Sequence, residues 1–434
     1  MPTWLRAHHF GFSNYDFGIY SQGLARLALD PPNPWLSGRQ IFLFNDHFDP
    51  ILFLGVPFAR LFPAASVGLI IEALSGVIAL GALWWLAANQ RLSTRAHWTL
   101  SVLLALHVGV SQAMGFPFHP TTWAMAPMAW LLAALILERW RVALVVLVLL
   151  FACKEEFPFV GIALIPFVWS RAPRRVAATW AAISALWGLF AFVLRPMLFG
   201  DVMPYASQPF RSTWSERFAP GVLAGAGDLV VAFVPLIIWL LISKARSRPA
   251  LLLSFALLPM LGIRFLSMAW RDHYGAVVAA AAVLVLAAWM EARTPAWWAI
   301  ALTFGLVLLT DESLLRRDFK SVSGAQGWGA SSGCDDVDGR RAAVAAAIEL
   351  ARKAPGPLLV SGNLVPWLGE RSDVYAFGGP QGDGFSGGTW LLEQPACGDT
   401  WAIPREERER LAALARSRRV LVDDGFVIVS SAVP

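Results

Sequence analysis

Acidic, basic and histidine side chains stand together in several short stretches that separate apolar segments of this chain. These stretches are Tyr15-Asp16 ahead of a helical pattern with Gln22, then Asp46-His47 with Asp49, then His119, then Lys154-Glu155-Glu156, and finally Asp272-His273. A carboxylate can act as a general base, and a buried cation can neutralise a phosphate. Carboxylates and imidazoles are also ligands of divalent cations. We therefore take these stretches as the candidates for chemistry.

Each candidate also has a structural explanation. Asp16 and Asp272 could cap helices, the 46–49 loop could be a solvated turn, and His119 beside two prolines could be structural. For Lys154-Glu155-Glu156 a functional role is favoured over a surface turn, because three charges between apolar runs are costly unless they are paired or hydrated. No zinc, Walker or Ser-His-Asp motif occurs in the chain. The cofactor therefore stays unknown, with a divalent cation at the 46–49 loop as one candidate.

The composition indicates an integral membrane protein. Of 434 residues, 57% are hydrophobic and 15% are charged, and the mean hydropathy is +0.55. A soluble domain carries about 25% charged residues. The apolar character continues to about Thr310, after which the sequence is that of a soluble domain. The net charge of +5 resides mainly in short loops, where membrane topology explains it, so it does not indicate a nucleic-acid partner.

Apolar segments near the length of roughly 20 residues that spans a bilayer predict the membrane domain. They are 64–88, 98–115, 121–137, 176–194, 223–242, 250–268, 274–290 and 296–310. Two shorter apolar runs meet at the 154–156 apex, which gives about ten membrane segments. We expect three parts: an N-terminal loop over 1–63 with amphipathic helices, a transmembrane domain over 64–310, and a soluble α/β domain over 311–434. In the first part, a helical pattern covers 17–29, and the run over 51–63 is expected to lie at the membrane interface.

Arginine and lysine predict the orientation. They dominate the alternate loops 89–97, 138–141, 170–175, 243–249 and 291–295. Basic loops mark the cytoplasmic face. The candidate residues then gather on the extracytoplasmic face of the plasma membrane, and the C-terminal domain lies on that side too.

The last part of the chain alternates helices and strands. Helices are expected at 338–353 and 405–417, and strands at 357–363, 420–424 and 426–430. Glycines at 378–384 are typical of a flexible loop, and the acidic turn at 335–338 is better explained by helix capping than by calcium binding. Cys334 and Cys397 are either a disulfide or two buried thiols, and Cys153 is expected to be buried.

Several segments, taken in order, resemble one bacterial family of polytopic membrane proteins, the domain of unknown function 2079. They are YDFGIYSQGLARLA, NDHFDPILFLGVPFARLFP, FHPTTWAMAPMAWLLAALILERWRVALVVLVLLFACKEE, RDHYGAVVAAAAVLVLAAW, PLLVSGNLVPWLGERSDVYAFGG and VLVDDG. This family is similar in layout to the C-type glycosyltransferases. Those are integral membrane enzymes that take a sugar from a polyprenyl-phosphate donor and carry an acidic residue in the first extracytoplasmic loop.

The resemblance implies roles for individual residues. Asp16 matches the acidic residue and would act as base on the acceptor hydroxyl, while Lys154 would contact the donor phosphate with Glu155 beside it. The residues that would line the substrate site are Tyr15, Gln22, His47, Asp49, His119, Glu156 and His273. In one respect the chain departs from this layout. Such proteins usually begin with a membrane helix ahead of the acidic loop, and here about 15 residues precede Asp16.

The candidate residues and the family resemblance therefore favour a membrane glycosyltransferase that uses a polyprenyl-phosphate-linked sugar donor at the extracytoplasmic face. A transporter or flippase of a lipid-linked or small polar substrate is the alternative, and its typical signs are inverted repeats and ionisable residues at mid-membrane. No internal repeat is visible. A third hypothesis is an assembly or receptor protein whose C-terminal domain binds a partner.

Overall fold

The computed structural model describes residues 15–37, 39–116, 118–199, 214–244, 247–268, 272–291, 293–310, 337–377, 387–394 and 405–432. Cys334, Cys397, the 378–384 loop and Asp335-Asp336 lie outside these residues, so the expectations for them stay predictions. Cys153 is buried with its thiol free, as expected.

Helices form most of the first 310 residues. In chain order they are α1 Tyr15–Leu27, α2 Leu43–Asp46, α3 Val56–Ala59, α4 Ala64–Ala88, α5 Thr94–Leu106, α6 Val108–Gly115, α7 Pro120–Trp123, α8 Met125–Ile136, α9 Trp140–Phe151, α10 Pro158–Ala163, α11 Ile165–Arg171, α12 Arg174–Leu189, α13 Arg195–Phe199, α14 Trp214–Arg217, α15 Pro220–Val230, α16 Val234–Ile242, α17 Arg248–Leu253, α18 Leu257–Ser267, α19 Gly275–Met290 and α20 Trp297–Thr310. Each predicted membrane segment coincides with one or more of these helices.

Four helical stretches in the described part of the chain are long and apolar enough to cross a membrane. They are Ala64–Ala88, Arg174–Phe199, Val222–Ile242 and Arg248–Ser267. The pair α5 and α6, bent by 40°, is a fifth candidate, and α9, α19, α20 and the stretch Pro120–Ile136 are shorter apolar helices. The expected number of about ten membrane segments therefore stays a prediction, although the helices that it requires are present.

Two helices form the centre of the membrane domain. α19 is buried along almost its whole length, and α8 packs against α4, α9 and α19. A helix that is apolar all round belongs inside a bundle. The many alanines of α19 allow close helix packing: the Cα of Gly109 in α6 is within 2.7 Å of where a Cβ on Gly275 would lie.

A buried histidine forms the bend between α5 and α6. The Nδ1 atom of His107 accepts a hydrogen bond from the N–H of Gly109 at 3.1 Å, and its Nε2 lies 3.0 Å from the carbonyl oxygen of Leu229. Because Nδ1 accepts, Nε2 carries the proton of the neutral ring and donates to Leu229. The bend interrupts the backbone hydrogen bonds of the helix, and the His107 side chain provides hydrogen bonds in their place. Buried backbone groups need such partners.

The N-terminal part places an amphipathic segment beside the bundle. α1 confirms the helical pattern predicted at 17–29, and a short hairpin follows (β1 Trp35–Leu36 and β2 Ile41–Phe42). The predicted interfacial run at 51–63 is divided into a 3-10 turn at Pro50–Leu54 and α3. Its aromatic and leucine side chains are exposed: Phe53, Leu54, Phe58, Leu61 and Phe62. This is the surface expected of a segment that lies at a membrane interface.

The C-terminal domain contains a five-stranded sheet between helices. Its elements are α21 Val337–Lys353, β3 Leu358–Val360, β4 Val374–Ala376, β5 Thr389–Glu393, α22 Arg405–Arg416, β6 Arg419–Asp423 and β7 Val427–Ser431. The strand order is β4-β3-β5-β7-β6, parallel on the β4-β3-β5 side and antiparallel beyond β5. All predicted helices and strands of this part are confirmed, but β4 and the central strand β5 were not predicted.

The C-terminal domain docks directly on α1. The ring of Trp367 meets Phe17 edge-on at 6.1 Å, and the side-chain amide of Gln22 lies 3.4 Å from the carbonyl oxygen of Arg371. Gly369 packs so closely that a Cβ there would lie 3.0 Å from the Cα of Gln22. α1 is therefore held between the C-terminal domain and the membrane helices, since it also packs on α4.

Ion pairs connect the arginine-rich loops at one end of the bundle, which we call the basic end. Arg91 pairs with Glu291, and Arg171 pairs with Glu138. Arg95 lies over the ring of Trp297 at 4.2 Å. The loops predicted to share one membrane face thus contact each other in two pairs, 89–97 with 291–295 and 138–141 with 170–175.

The contact between α6 and α19 generates a prediction. A methyl group from Gly109→Ala would lie 2.7 Å from the carbonyl oxygen of Gly275, so we expect a loss of about 1–3 kcal/mol in stability from overpacking. Gly305→Ala in α20 is the matched control, because nothing lies within 4 Å of its Cβ position. Thermal unfolding in detergent should show a lower Tm for Gly109→Ala and an unchanged or higher Tm for Gly305→Ala. Equal Tm values would contradict the packing described here.

Candidate active site

Asp16 lies in the first turn of α1, where a carboxylate also interacts favourably with the helix dipole. One carboxylate oxygen of Asp16 and one ring nitrogen each of His119 and His273 lie within 4.8 Å of one another. Burial raises the pKa of Asp16, and the positive charges of His47 and Lys154 oppose this shift. The first-turn position supports a helix-terminal role for Asp16, and its chemical role stays a prediction. Tyr15 begins the same helix, but its side chain is outside the described residues.

His119 is fixed by two hydrogen bonds. Its backbone N–H donates to Oε2 of Glu72 at 2.9 Å, and its Nδ1 accepts from the N–H of Thr121 at 3.0 Å, which caps α7. Its ring stacks on His273 with 3.7 Å between centroids. Burial and the neighbouring positive charges hold the pKa of both histidines well below the usual range. Both rings are therefore neutral.

The same hydrogen bond bears on metal binding. By distance, Asp16, His119 and His273 could hold a divalent cation. In the neutral ring of His119, however, Nδ1 accepts from Thr121, so Nε2 carries the proton. A metal ion at Nε2 would require that proton on Nδ1, facing another N–H group. As folded, His119 is suited to donate a hydrogen bond from Nε2 rather than to bind a metal ion.

The residues of the 46–49 loop separate, so this loop does not form the cation site considered from the sequence. Asp46 pairs with Arg39 at 2.6 Å, and Nδ1 of His47 lies 3.0 Å from Oε1 of Glu155. The N–H of Phe48 donates to the other oxygen of Glu155 at 3.1 Å. Asp49 is buried, which raises its pKa, as does the nearby charge of Glu155. The loop is thus fastened to the 154–156 apex through Glu155.

Lys154 is the central cation of the site. The residue is 4% exposed. Its ammonium has no hydrogen-bond partner among the described residues and lies 5.1 Å from the centroid of the Tyr274 ring. Burial alone would lower the pKa of Lys154, but Tyr274, Glu156 and Glu155 together raise it. The side chain therefore stays charged while none of its three donors is satisfied.

Glu156 and Tyr274 contact a second cation. Arg264 pairs with Glu156, and its guanidinium carbon lies 3.9 Å from the centroid of the Tyr274 ring. This arrangement joins the 154–156 apex to α18 and to the turn that carries His273. The expectation that the apex charges would be paired is met for Glu155 and Glu156, but not for Lys154.

Arg195 is a site residue that the sequence analysis did not identify. It begins α13 directly after a π-helical turn at Phe190–Leu194 and is 1% exposed. None of its three guanidinium nitrogens has a hydrogen-bond partner in the described part of the chain. The guanidinium lies 5.7 Å from the Phe48 ring and interacts with the charges of Glu155 and Asp49. A π-helical turn is frequently found at a functional site.

Gln22 differs from the other candidate residues because both ends of its amide are engaged in the fold. Its nitrogen donates to Oγ of Ser37 at 2.8 Å, and its oxygen accepts from the N–H of Ser37 at 3.0 Å. The same nitrogen also contacts the carbonyl of Arg371. The structure thus places Gln22 in the contact between α1, the hairpin and the C-terminal domain.

Three further residues complete the site: Glu72, Arg264 and Tyr274. Glu72 is the one acidic residue within Ala64–Ala88, and Arg264 is the one ionisable residue between 250 and 268. An ionisable side chain inside an apolar segment is a signal of function. Glu72 and Arg264 show this signal in the sequence, but the prediction of a functional role was based on it only for the 154–156 apex.

Together these residues provide three chemical capacities. Asp16 supplies a carboxylate with a raised pKa, suited to accept a proton. The neutral rings of His119 and His273 can orient a hydroxyl group. Lys154 and Arg195 supply buried positive charge that lacks hydrogen-bond acceptors in the described residues. Such a pair suits a phosphate group better than it suits a neutral ligand.

The apolar helices, the buried charged site and the docked C-terminal domain define a membrane protein of known fold. The whole chain superposes on ArnT from Cupriavidus metallidurans bound to undecaprenyl phosphate, with a TM-score of 0.60, 13% identity, and coverage of 99% of this chain and 97% of that one. The apo state of the same protein gives a TM-score of 0.56, with the same identity and coverage. No curated protein sequence matches the chain.

The chain belongs to the DUF2079 family, described as predicted membrane proteins, whose model matches residues 6–222. That range contains Asp16, the 46–49 loop, His119, the 154–156 apex and Arg195. The resemblance seen in the sequence is thereby confirmed. His273 and the C-terminal domain lie beyond the matched residues.

The His47–Glu155 pair predicts a pH dependence of stability. Burial and Lys154 lower the pKa of His47, but Glu155 and Asp49 outweigh them, and the net pKa is raised above 6.5. A raised histidine pKa stabilises the fold below about pH 6.5, and this stabilisation is lost as pH rises through the folded-state pKa. We expect His47→Gln to cost ~1 kcal/mol near pH 6 and less near pH 9.

Thermal unfolding in detergent between pH 6 and pH 9 measures this difference. His97→Gln is the control, because His97 has no carboxylate partner among the described residues. The difference in Tm between His97→Gln and the natural protein should not change with pH in the same way. If the Tm of His47→Gln falls further below that of the natural protein as pH rises, the charged pair is not the source of the stabilisation.

Proposed function

We propose that this protein is a membrane glycosyltransferase. It transfers a sugar from a polyprenyl-phosphate-linked donor to a hydroxyl group of an acceptor at the extracytoplasmic face of the plasma membrane. The observation that carries the proposal is the presence of two buried cations without hydrogen-bond partners among the described residues, Lys154 and Arg195. Lys154 interacts with the carboxylate of Asp16, and both cations interact with the charges of Glu155 and Asp49. The likeness in fold to a protein solved with undecaprenyl phosphate supports it.

The cations explain how a lipid phosphate would be held. An unpaired buried charge is costly, and it is stabilised when an anion of opposite charge binds. Lys154 reaches the site from the 154–156 apex, and Arg195 reaches it from the end of the spanning stretch Arg174–Phe199. Two cations on separate elements would neutralise the phosphate as the bond to the sugar breaks. Glu155 and Glu156 position the apex through His47 and Arg264.

Asp16 is the base of the proposed reaction. It removes the proton from the acceptor hydroxyl, whose oxygen attacks the anomeric carbon of the sugar. The bond between that carbon and the phosphate oxygen breaks, and polyprenyl phosphate leaves with the electron pair. Its new negative charge is stabilised by Lys154 and Arg195. His119 donates a hydrogen bond from Nε2, which orients the acceptor or the sugar, and stacking on His273 fixes its ring.

The proposed face of the membrane rests on the two ends of the bundle. The basic end carries the arginine-rich loops, which the positive-inside rule assigns to the cytoplasm. The proposed site lies at the other end, as does α1 with the C-terminal domain docked on it. We therefore propose that residues 311–434 are extracytoplasmic, where lipid-linked sugars and their acceptors meet.

The proposal predicts separate effects on binding and transfer. Lys154→Ala and Arg195→Ala should each weaken the binding of undecaprenyl phosphate at least tenfold, because each removes one of the two cations. Asp16→Asn should bind the lipid phosphate normally but lower transfer by about 10²–10⁴-fold, the usual contribution of a general base. Binding is measured by thermal shift with undecaprenyl phosphate, and transfer by mass spectrometry of the glycolipids and glycoproteins of cells that express each variant.

Arg139→Ala is the control, because it removes a positive charge from an exposed position of an arginine-rich loop. It should leave both measurements unchanged. Glycan profiles that are unaltered by both Asp16→Asn and Lys154→Ala would rule out the transferase. Substrate counterflow in proteoliposomes without release of polyprenyl phosphate would favour a transporter instead.

A further inference from the structure

A cavity distinct from the site around Asp16 lies where α1, the entry to α4 and the C-terminal domain meet. Its volume is about 350 Å³, far more than the roughly 30 Å³ that one water molecule occupies. One wall is formed by Ala25, Ala28 and Leu29 at the end of α1. The rest of the lining includes Arg60, Phe62, Pro63, Arg352, Trp367 and Glu370.

The position of this cavity is that of a lipid head group. Pro63 precedes and Ala64 begins α4, a helix long and apolar enough to span a bilayer, so the cavity lies at one end of that predicted span. In the segment just before α4, Phe58, Leu61 and Phe62 are 55%, 76% and 59% exposed. Large exposed apolar side chains at this level are suited to contact acyl chains.

The charges of the lining are of two signs. Arg60 uses its Nε to donate to the carbonyl of Ala28 at 3.3 Å, and its two terminal nitrogens have no partner in the described part of the chain. Glu370 accepts from Nε of Arg352 at 2.8 Å through one carboxylate oxygen. Arg352 donates from each of its three nitrogens, since its two terminal nitrogens bond to Glu349 and to the carbonyl of Trp367. Arg60 is thus the cation available to a ligand, and Glu370 is the anion.

We propose that this cavity binds the head group of a phospholipid of the phosphoethanolamine class. The guanidinium of Arg60 holds the phosphate, the carboxylate of Glu370 holds the ammonium, and the acyl chains leave the cavity past Phe62. A zwitterionic head group matches the two signs of charge, whereas an anionic head group with a neutral alcohol satisfies Arg60 alone. No part of this assignment depends on sugar transfer.

The lipid would stabilise the arrangement of α1. Trp367 lines the cavity and also meets Phe17, the residue that follows Asp16, at 6.1 Å. A head group between Arg60 and Glu370 bridges the entry of α4 to the C-terminal domain. Binding therefore favours the docked state of that domain, in which α1 has its observed place, and raises the stability of the whole chain.

Thermal unfolding of delipidated protein in dodecyl maltoside tests the site. Dihexanoyl phosphatidylethanolamine, below its micelle concentration, should raise Tm in a saturable way, and dihexanoyl phosphatidylglycerol should bind at least threefold more weakly. Arg60→Ala should weaken both lipids at least tenfold. Glu370→Gln keeps the hydrogen-bond acceptor for Arg352, so it should abolish the preference between the two lipids while phosphatidylglycerol still binds.

Arg419→Ala, which removes an exposed charge from β6 on the same domain, is the matched control and should behave as the natural protein. Equal stabilisation of the natural protein and Arg60→Ala would overturn the site. So would equal affinity of the natural protein for the two lipids, or stabilisation by inorganic phosphate as strong as that by the ethanolamine lipid.

Discussion

Charge that is buried beside a bilayer must be paired or must meet a ligand, and this requirement organises the described part of the site. Glu155 is satisfied by His47 and by the N–H of Phe48, and Glu156 is satisfied by Arg264. These contacts join the N-terminal loop, the 154–156 apex and α18. Lys154 and Arg195 keep their donors unsatisfied among the described residues. Burying a charge without a partner costs free energy. The paired charges avoid this cost within the fold, and Lys154 and Arg195 would avoid it by binding an anion.

The placement of Asp16 depends on a second contact, between α1 and the C-terminal domain. Gln22 ties α1 to Ser37 and Arg371, and Gly369 packs on the backbone of α1. Asp16 itself lies at the first turn of the helix, away from those anchors. The carboxylate can therefore face His119 and His273 while the rest of α1 is held in place. A receptor-like role for the C-terminal domain is unnecessary to explain its presence, since it supports the helix that carries the proposed base.

The sequence predicted the helices better than it predicted their partners. Every apolar segment that was predicted to span the membrane is helical among the described residues, and the candidates Asp16, His119 and His273 lie close together. The sequence could not show that Asp46 and His47, although adjacent, pair with different partners, Arg39 and Glu155. Arg195 was missed because an arginine at the end of an apolar segment is typical of a loop. Strand β5 was missed because a short apolar run has no distinctive period.

The contact between α1 and the C-terminal domain joins residues that are 349 positions apart. Closing so long a loop is slow compared with the local pairing of membrane helices, so it is expected late in folding. During synthesis, the bundle can form before the domain that fixes α1 has left the ribosome. An incomplete chain would hold the cations of the 154–156 apex and α13 but would lack the anchor of the carboxylate. Under the proposed function, lipid binding would then precede catalytic competence, and the newly made protein would be inert until its last domain has folded.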